Sequence, residues 1–343
     1  MLRGNTFKQN KVYIFDFFRA IACFGIFIHH VCECSLKIKV IPYFGISGFM
    51  AVFFFTTGFL IPLSLDRCGV IKAFLIKRFF RLFPVLLLAS VITAHFFGFS
   101  VKRILLSVFM INDIACLFGE YKRAIPAPAW SLQVELKFYL LCALTYWLFK
   151  KDRTRLYFMI ITIILSVFLI TKVFNINNWV WNPHYRDMKN FRFSMTFLPC
   201  ILTGTVWYYY RKGSIIKSEF ITLFIICIAS YYFDYQKMPQ RINSHTLFTF
   251  ITLFIAYKYE SFGNNKIVKE FADNSYSIYL LHGICIKSAV HFFKHGDSVG
   301  VLLKNFSFAL ILFIPLFCAC HFIYKYIEKP AYDFGRKLAS KMK

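Results

Sequence analysis

The chain has 343 residues, 58% of them hydrophobic, a mean hydropathy of +0.57 and a formal charge of +25. No soluble domain buries that much apolar surface, so the composition excludes one and calls for apolar segments of about 20 residues that satisfy their own backbone as helices. The charge alone would suit nucleic acid, but Lys and Arg gather between the apolar runs, as membrane orientation demands, which speaks against that class.

Ten membrane helices are predicted, at 12–33, 44–65, 82–99, 130–149, 156–174, 191–210, 218–234, 245–258, 274–293 and 302–324. In the first, Arg19 and His30 lie eleven residues apart, close to three helical turns, so both face one side about 16 Å apart along the axis. Asp16 and Glu33 extend that stripe; His29 points about 100° away. Ionisable side chains inside a membrane helix are expensive and mark function. An imidazole titrating near neutrality suits a general base that deprotonates a hydroxyl; the bland alternative is a His bonded to backbone near the interface.

The second helix carries Phe53-Phe54-Phe55-Thr56-Thr57-Gly58-Phe59-Leu60, whose glycine predicts a close helix approach or a local break. Lys77-Arg78-Phe79-Phe80-Arg81-Leu82-Phe83-Pro84 is expected at the mouth of the third helix. Arg78 and Arg81, at i and i+3, share a face and suit phosphate recognition, although ordinary membrane anchors would look the same. The stretch Ile104–Phe118 is too short and too interrupted to span, and reads as one re-entrant or interfacial segment.

The fourth helix opens with Trp130-Ser131-Leu132-Gln133-Val134-Glu135 after Pro126 and Pro128, which suit a helix start. Ser131, Glu135 and Tyr139 recur every four residues on one face. Glu135 is expected at the depth of His30, where a carboxylate would orient the imidazole and raise its basicity; pairing with Lys137 or a loop Arg is the alternative. Further on, the loops 175–190 and 235–244 are the expected outer rim. Trp179, Trp181, His184 and Tyr185 would stack on sugars or serve as an interfacial belt. The ninth helix holds Ser275-Tyr276-Ser277-Ile278-Tyr279-Leu280-Leu281-His282, with His282 a buried imidazole suited to packing or hydrogen bonding. Ile327-Glu328-Lys329-Pro330-Ala331 is expected to end the last helix.

The loops at 1–11, 66–81, 150–155, 211–217, 258–269 and 325–343 hold the larger share of Lys and Arg, led by KKDRTR at 150–155, which predicts both termini in the cytoplasm. No cleavable signal pattern is present. The eleven cysteines are scattered, read as buried thiols, and no His, Cys, Asp or Glu cluster has metal-ligand spacing, so no metal is expected. The fold expected is an all-α polytopic membrane protein, about ten transmembrane helices plus one re-entrant or interfacial segment, forming a single integral membrane domain over residues 1–343.

Arg19 with ten residues to His30, FFxxxGF at 53–59, KRFFRLFP at 77–84, WSLQVE at 130–135 followed by Phe138-Tyr139, SYSIYLLH at 275–282 and IEKPA at 327–331, in this order, resemble the membrane-bound acyltransferase-3 family, whose bacterial members include O-antigen O-acetyltransferases. One departure is visible, Thr57-Gly58-Phe59 where many members have Ser-Gly-Phe, and the fused extracytoplasmic hydrolase-like domain that some members carry is not expected within residues 1–343. The resemblance implies transfer of an acyl group, commonly acetyl, from cytoplasmic acetyl-CoA to a hydroxyl of a cell-surface or periplasmic carbohydrate, such as lipopolysaccharide O-antigen, by an enzyme of the bacterial inner membrane. His30 would match the family's catalytic His and Glu135 the acid of its WSLxxE motif. Arg19, Arg78 and Arg81 would match its functional arginines, and Trp130, Ser131, Tyr139 and His282 would lie at the substrate or acyl-CoA site. A lipid or small-metabolite acceptor, or a transporter of an acylated glycan, are the competing expectations.

Overall fold

The computed structural model describes residues 12–36, 45–97, 101, 105, 130–172, 197–230, 239–259, 261–293 and 301–342. Among these, all regular structure is helical: α1 (Ile14–Leu36), α2 (Gly45–Cys68), α3 (Ile71–Phe97), α4 (Trp130–Leu148), α5 (Asp152–Lys172), α6 (Leu198–Arg211), α7 (Lys217–Ser230), α8 (Pro239–Lys258), α9 (Lys266–Phe293), α10 (Val301–Ile323), a π-helical turn at Tyr324–Glu328 and α11 (Lys329–Ser340). Each expected segment falls on one of α1 to α10. Four stretches, Ile14–Cys32, Ile46–Cys68, Ile71–Phe96 and Ile311–Ser340, are long and apolar enough to cross a membrane by length and composition. The protein is an all-helical membrane protein.

Beyond α8, which begins at Pro239 and takes 239–244 out of the expected outer loop 235–244 into a helix, three boundaries differ from expectation. α3 begins at Ile71 and α9 at Lys266, each well before its apolar run. Lys and Arg lower hydropathy but are good helix formers, so the apolar run marks only part of each helix. The third difference is that IEKPA does not end the chain's last helix. The helix passes through the π-turn into α11, and Pro330 sits just after that turn. Ile104–Phe118 apart from Leu105, the loop 175–190 with Trp179, Trp181, His184 and Tyr185, and 235–238 lie outside the described residues.

At the end of the bundle where α1 starts, called the near end, a charged cluster ties five helices. Lys212, just past α6, bonds Asp66 of α2 at 2.5 Å and Asp152 of α5 at 2.7 Å. Arg155 reaches Asp152 at 3.1 Å and lies 4.1 Å from the ring centroid of Tyr146 in α4. Arg153 bridges to Glu219 at the start of α7. At the far end, Trp130 packs on Phe197 beside the start of α6. α3 rises from the near end directly after α2 and α4 enters from the far end, so the chain between them starts and finishes on one side.

The tightest crossing in the bundle is α2 on α6. A Cβ on Gly58 would collide with the Ile201 carbonyl, and one on Gly204 with the Phe55 carbonyl. Glycine is needed on both helices because backbone meets backbone there. Pro62, one turn after Gly58, supplies no N–H to the Gly58 carbonyl. Thr205 Oγ1 reaches that oxygen instead, at 3.1 Å, sharing its single proton between it and the Ile201 carbonyl of its own helix at 2.9 Å. Elsewhere α1 lies on α9 through a Cys23 Sγ–H to Ser275 carbonyl contact of 3.3 Å, and α11 folds back along α3, with Phe334 against Phe80 and Gly335 beneath the same ring.

Candidate functional site

Between α1, α2, α3, α4 and α9 the near half of the bundle opens into a narrow cleft of about 70 Å³. The α1 wall is Arg19, Cys23 and Ile26, spaced one turn apart, and His30 continues the same face one turn further. α3 contributes Arg78 and Arg81, α4 Leu132, Glu135 and Tyr139, and α9 Ser275, Tyr276 and Tyr279. Three arginines face a single carboxylate among these lining residues, so the cleft is set up for an anion.

The arginines are not equivalent. Arg19 is bonded to Asp16, one turn earlier on α1, and is thereby committed to an internal carboxylate. Arg78 lies over the rings of Phe74 and Tyr139, 5.4 and 5.3 Å from their centroids. Neither Arg78 nor Arg81 makes a salt bridge or hydrogen bond among the described residues. Because α3 starts at Ile71, both lie about two to three turns inside their helix, and not at its mouth as expected from the apolar run.

Glu135 is buried and accepts the phenolic proton of Tyr139, its i+4 neighbour. Its charged neighbours are Arg78, Arg81 and Arg19. The expected Glu135–His30 pair is therefore not formed. The cause is the depth at which α4 starts: Trp130 packs on Phe54, in the middle of α2, as well as on Phe197. Five residues further, Glu135 has reached the level of the arginines and passed that of His30.

The ring against His30 is His282, with centroids 5.2 Å apart and planes at 24°. His282 Nδ1 lies 2.8 Å from the Tyr279 carbonyl oxygen. A carbonyl only accepts, so Nδ1 carries the proton and Nε2 presents a bare lone pair. That Nε2 is buried without a hydrogen-bond partner. Tyr279 sits between the two groups of residues. Its hydroxyl shares a 2.8 Å hydrogen bond with Ser131, its ring stacks on Phe53, and it lines the cleft one turn before His282.

Two partners were not visible in sequence. Glu328, from the π-turn, is 5% exposed and accepts from Ser277 Oγ at 3.0 Å. Tyr276 donates its hydroxyl to the Leu82 carbonyl, next to Arg81, at 2.8 Å. A lone Glu beside Lys and Pro reads as a helix stop, and only the acid within an apolar flank hinted otherwise.

A family model described as an acyltransferase domain matches residues 12–325. No curated protein and no solved structure matches the chain.

Proposed function

From the chain's membership of the acyltransferase-3 family, which makes it a membrane acyltransferase, we propose that it is an O-acetyltransferase carrying acetyl from cytoplasmic acetyl-CoA to a hydroxyl of a cell-surface or periplasmic carbohydrate. Lipopolysaccharide O-antigen is such an acceptor. The observation that carries this reading is a cleft holding two arginines, Arg78 and Arg81, that make no salt bridge or hydrogen bond among the described residues, with the imidazole of His30 one turn beyond it along the face of α1. In this reading the protein sits in the bacterial inner membrane with the near end, and both termini, in the cytoplasm.

Arg78 and Arg81 hold phosphates of the donor through charge-assisted, bidentate hydrogen bonds. Arg19, neutralised by Asp16, shapes the inner wall. The thioester lies toward Tyr279, which Ser131 holds in place under Trp130. The acceptor hydroxyl comes from the far end and gives its proton to His30 as its oxygen attacks the thioester carbonyl. An oxygen–carbon bond forms, the carbon–sulfur bond breaks, and the CoA thiolate leaves and takes up the proton. Glu135 with Tyr139 acts as the counter-charge of the arginine group, and His282 keeps water off one face of His30.

The test is radiolabelled acetyl transfer from acetyl-CoA in inverted membrane vesicles carrying wild type or His30→Ala. Label is expected in polysaccharide with wild type and absent with the variant at equal membrane insertion. Robust transfer by His30→Ala removes the general base; label confined to lipid replaces the acceptor.

A further inference from the structure

π-Helical turns are rare and concentrate at functional sites. The one at Tyr324–Glu328 rotates Glu328 out of the surface register and into the core, where it is 5% exposed. Its carboxylate takes the Ser277 hydroxyl at 3.0 Å, and Ser277 is itself fully buried. The strongest positive charge it faces is Arg81, followed by Arg19. Arg81 thus interacts with two carboxylates, Glu135, which lines the same cleft, and Glu328 of the π-turn. The turn of α3 that bears it is clamped from both flanks, by Tyr276 on the Leu82 carbonyl and by α11 on Phe80. A buried carboxylate needs a reason to be there, since burial without a full partner is costly.

We propose that Glu328 is a positioning residue for the acyl donor: held by Ser277, it keeps the Arg81 guanidinium off Glu135 and turned to the cleft, where the donor's phosphates bind. The inference rests on the donor assigned above. Without the charge of Glu328, Arg81 closes on Glu135, and every donor molecule must first break that internal ion pair. Donor affinity falls, while the chemistry at His30, one turn beyond the cleft, is untouched.

The experiment measures equilibrium binding of acetyl-CoA and of S-acetyl-pantetheine, which has the thioester but no phosphate, to purified full-length protein in lipid nanodiscs. Glu328→Gln keeps the shape and the acceptor for Ser277 but loses the charge. It is expected to weaken acetyl-CoA binding about tenfold, to leave S-acetyl-pantetheine unchanged, and to leave kcat at saturating donor within about twofold. Adding Glu135→Gln to Glu328→Gln restores acetyl-CoA binding, which a packing defect would not permit. Ser277→Ala acts in the same direction more weakly, and decides the matter if Glu328→Gln does not fold. Wild-type affinity in Glu328→Gln, or equal loss for both thioesters, overturns the positioning role. Failure of the wild type itself to bind acetyl-CoA overturns the donor assignment, and the positioning role with it.

Discussion

His30 and Arg19 share the face of α1 that their spacing dictated, and the residues between them at one-turn intervals, Cys23 and Ile26, line the cleft. That much is helical arithmetic, readable without a fold. The same holds for Ser131, Glu135 and Tyr139, which share one face of α4 and of which the last two bond each other. What each face meets is set by the depth and rotation of its helix, and no periodicity encodes either. Glu135 therefore found arginines where an imidazole was expected, and His30 found His282. The two arginines of α3 differ in a testable way. Arg78 sits within cation–π reach of two rings at once, and a lysine ammonium there would lose the planar guanidinium's bidentate hydrogen bonding. Arg78→Lys is expected to weaken acetyl-CoA binding by about ten- to a hundredfold, the worth of a charge-assisted hydrogen-bond pair. Isothermal titration of the purified protein reads this directly.

Among the helices, the α2–α6 crossing is the least forgiving. Gly58 was legible as a packing signal, since a glycine within an apolar helix predicts close approach. Its partner Gly204 was not, because TGT in α6 gives no hint of which helix it will face. Gly204→Ala drives a methyl into the Phe55 carbonyl and is expected to cost about 1–3 kcal/mol, as overpacking does. The lost stability shows as a lower thermal unfolding midpoint in detergent, with acyl-donor affinity preserved in the fraction that remains folded. The starts of α3 and α9 were misplaced for a related reason. Hydropathy reports which residues tolerate lipid, whereas helix propensity carries on through Lys and Arg into water.

For the molecule as a whole, the near-end charged cluster converts an orienting signal into a clasp. The basic residues of KKDRTR were legible as loop markers, yet Arg153 and Arg155 are also bonded to Glu219 and Asp152. Burial disfavours the charge on Asp152, but hydrogen bonds from Lys212 and Ser214 and the charge of Arg155 outweigh it and hold its carboxyl below the usual range. Lys212 likewise loses solvation, and the same carboxylates hold its ammonium above the usual lysine range. The folded protein binds the Asp152 proton less readily than the unfolded chain does. The stabilisation is thus complete above about pH 4, the ordinary Asp value, and drains away as pH falls toward the depressed folded value. Lys212 runs the other way, supporting the fold below about pH 10 and losing its contribution above. Melting curves in detergent from pH 7 downward are expected to show an acid limb that Asp152→Asn flattens, with a lower midpoint at neutral pH.

The hydroxyl that Thr205 lends to the Gly58 carbonyl also sets a timetable. Pro62 leaves that oxygen without a helical donor, and hydrocarbon offers none. The residue that satisfies it is made 147 positions later. During synthesis α2 enters the bilayer with an exposed acceptor that no neighbour in sequence repairs, and it must wait until α6 arrives. Half-made chains consequently carry a sticky flaw on the surface destined for the core. Truncation before α6 yields a product destined for quality-control proteolysis, whereas truncation after it leaves the flaw sealed.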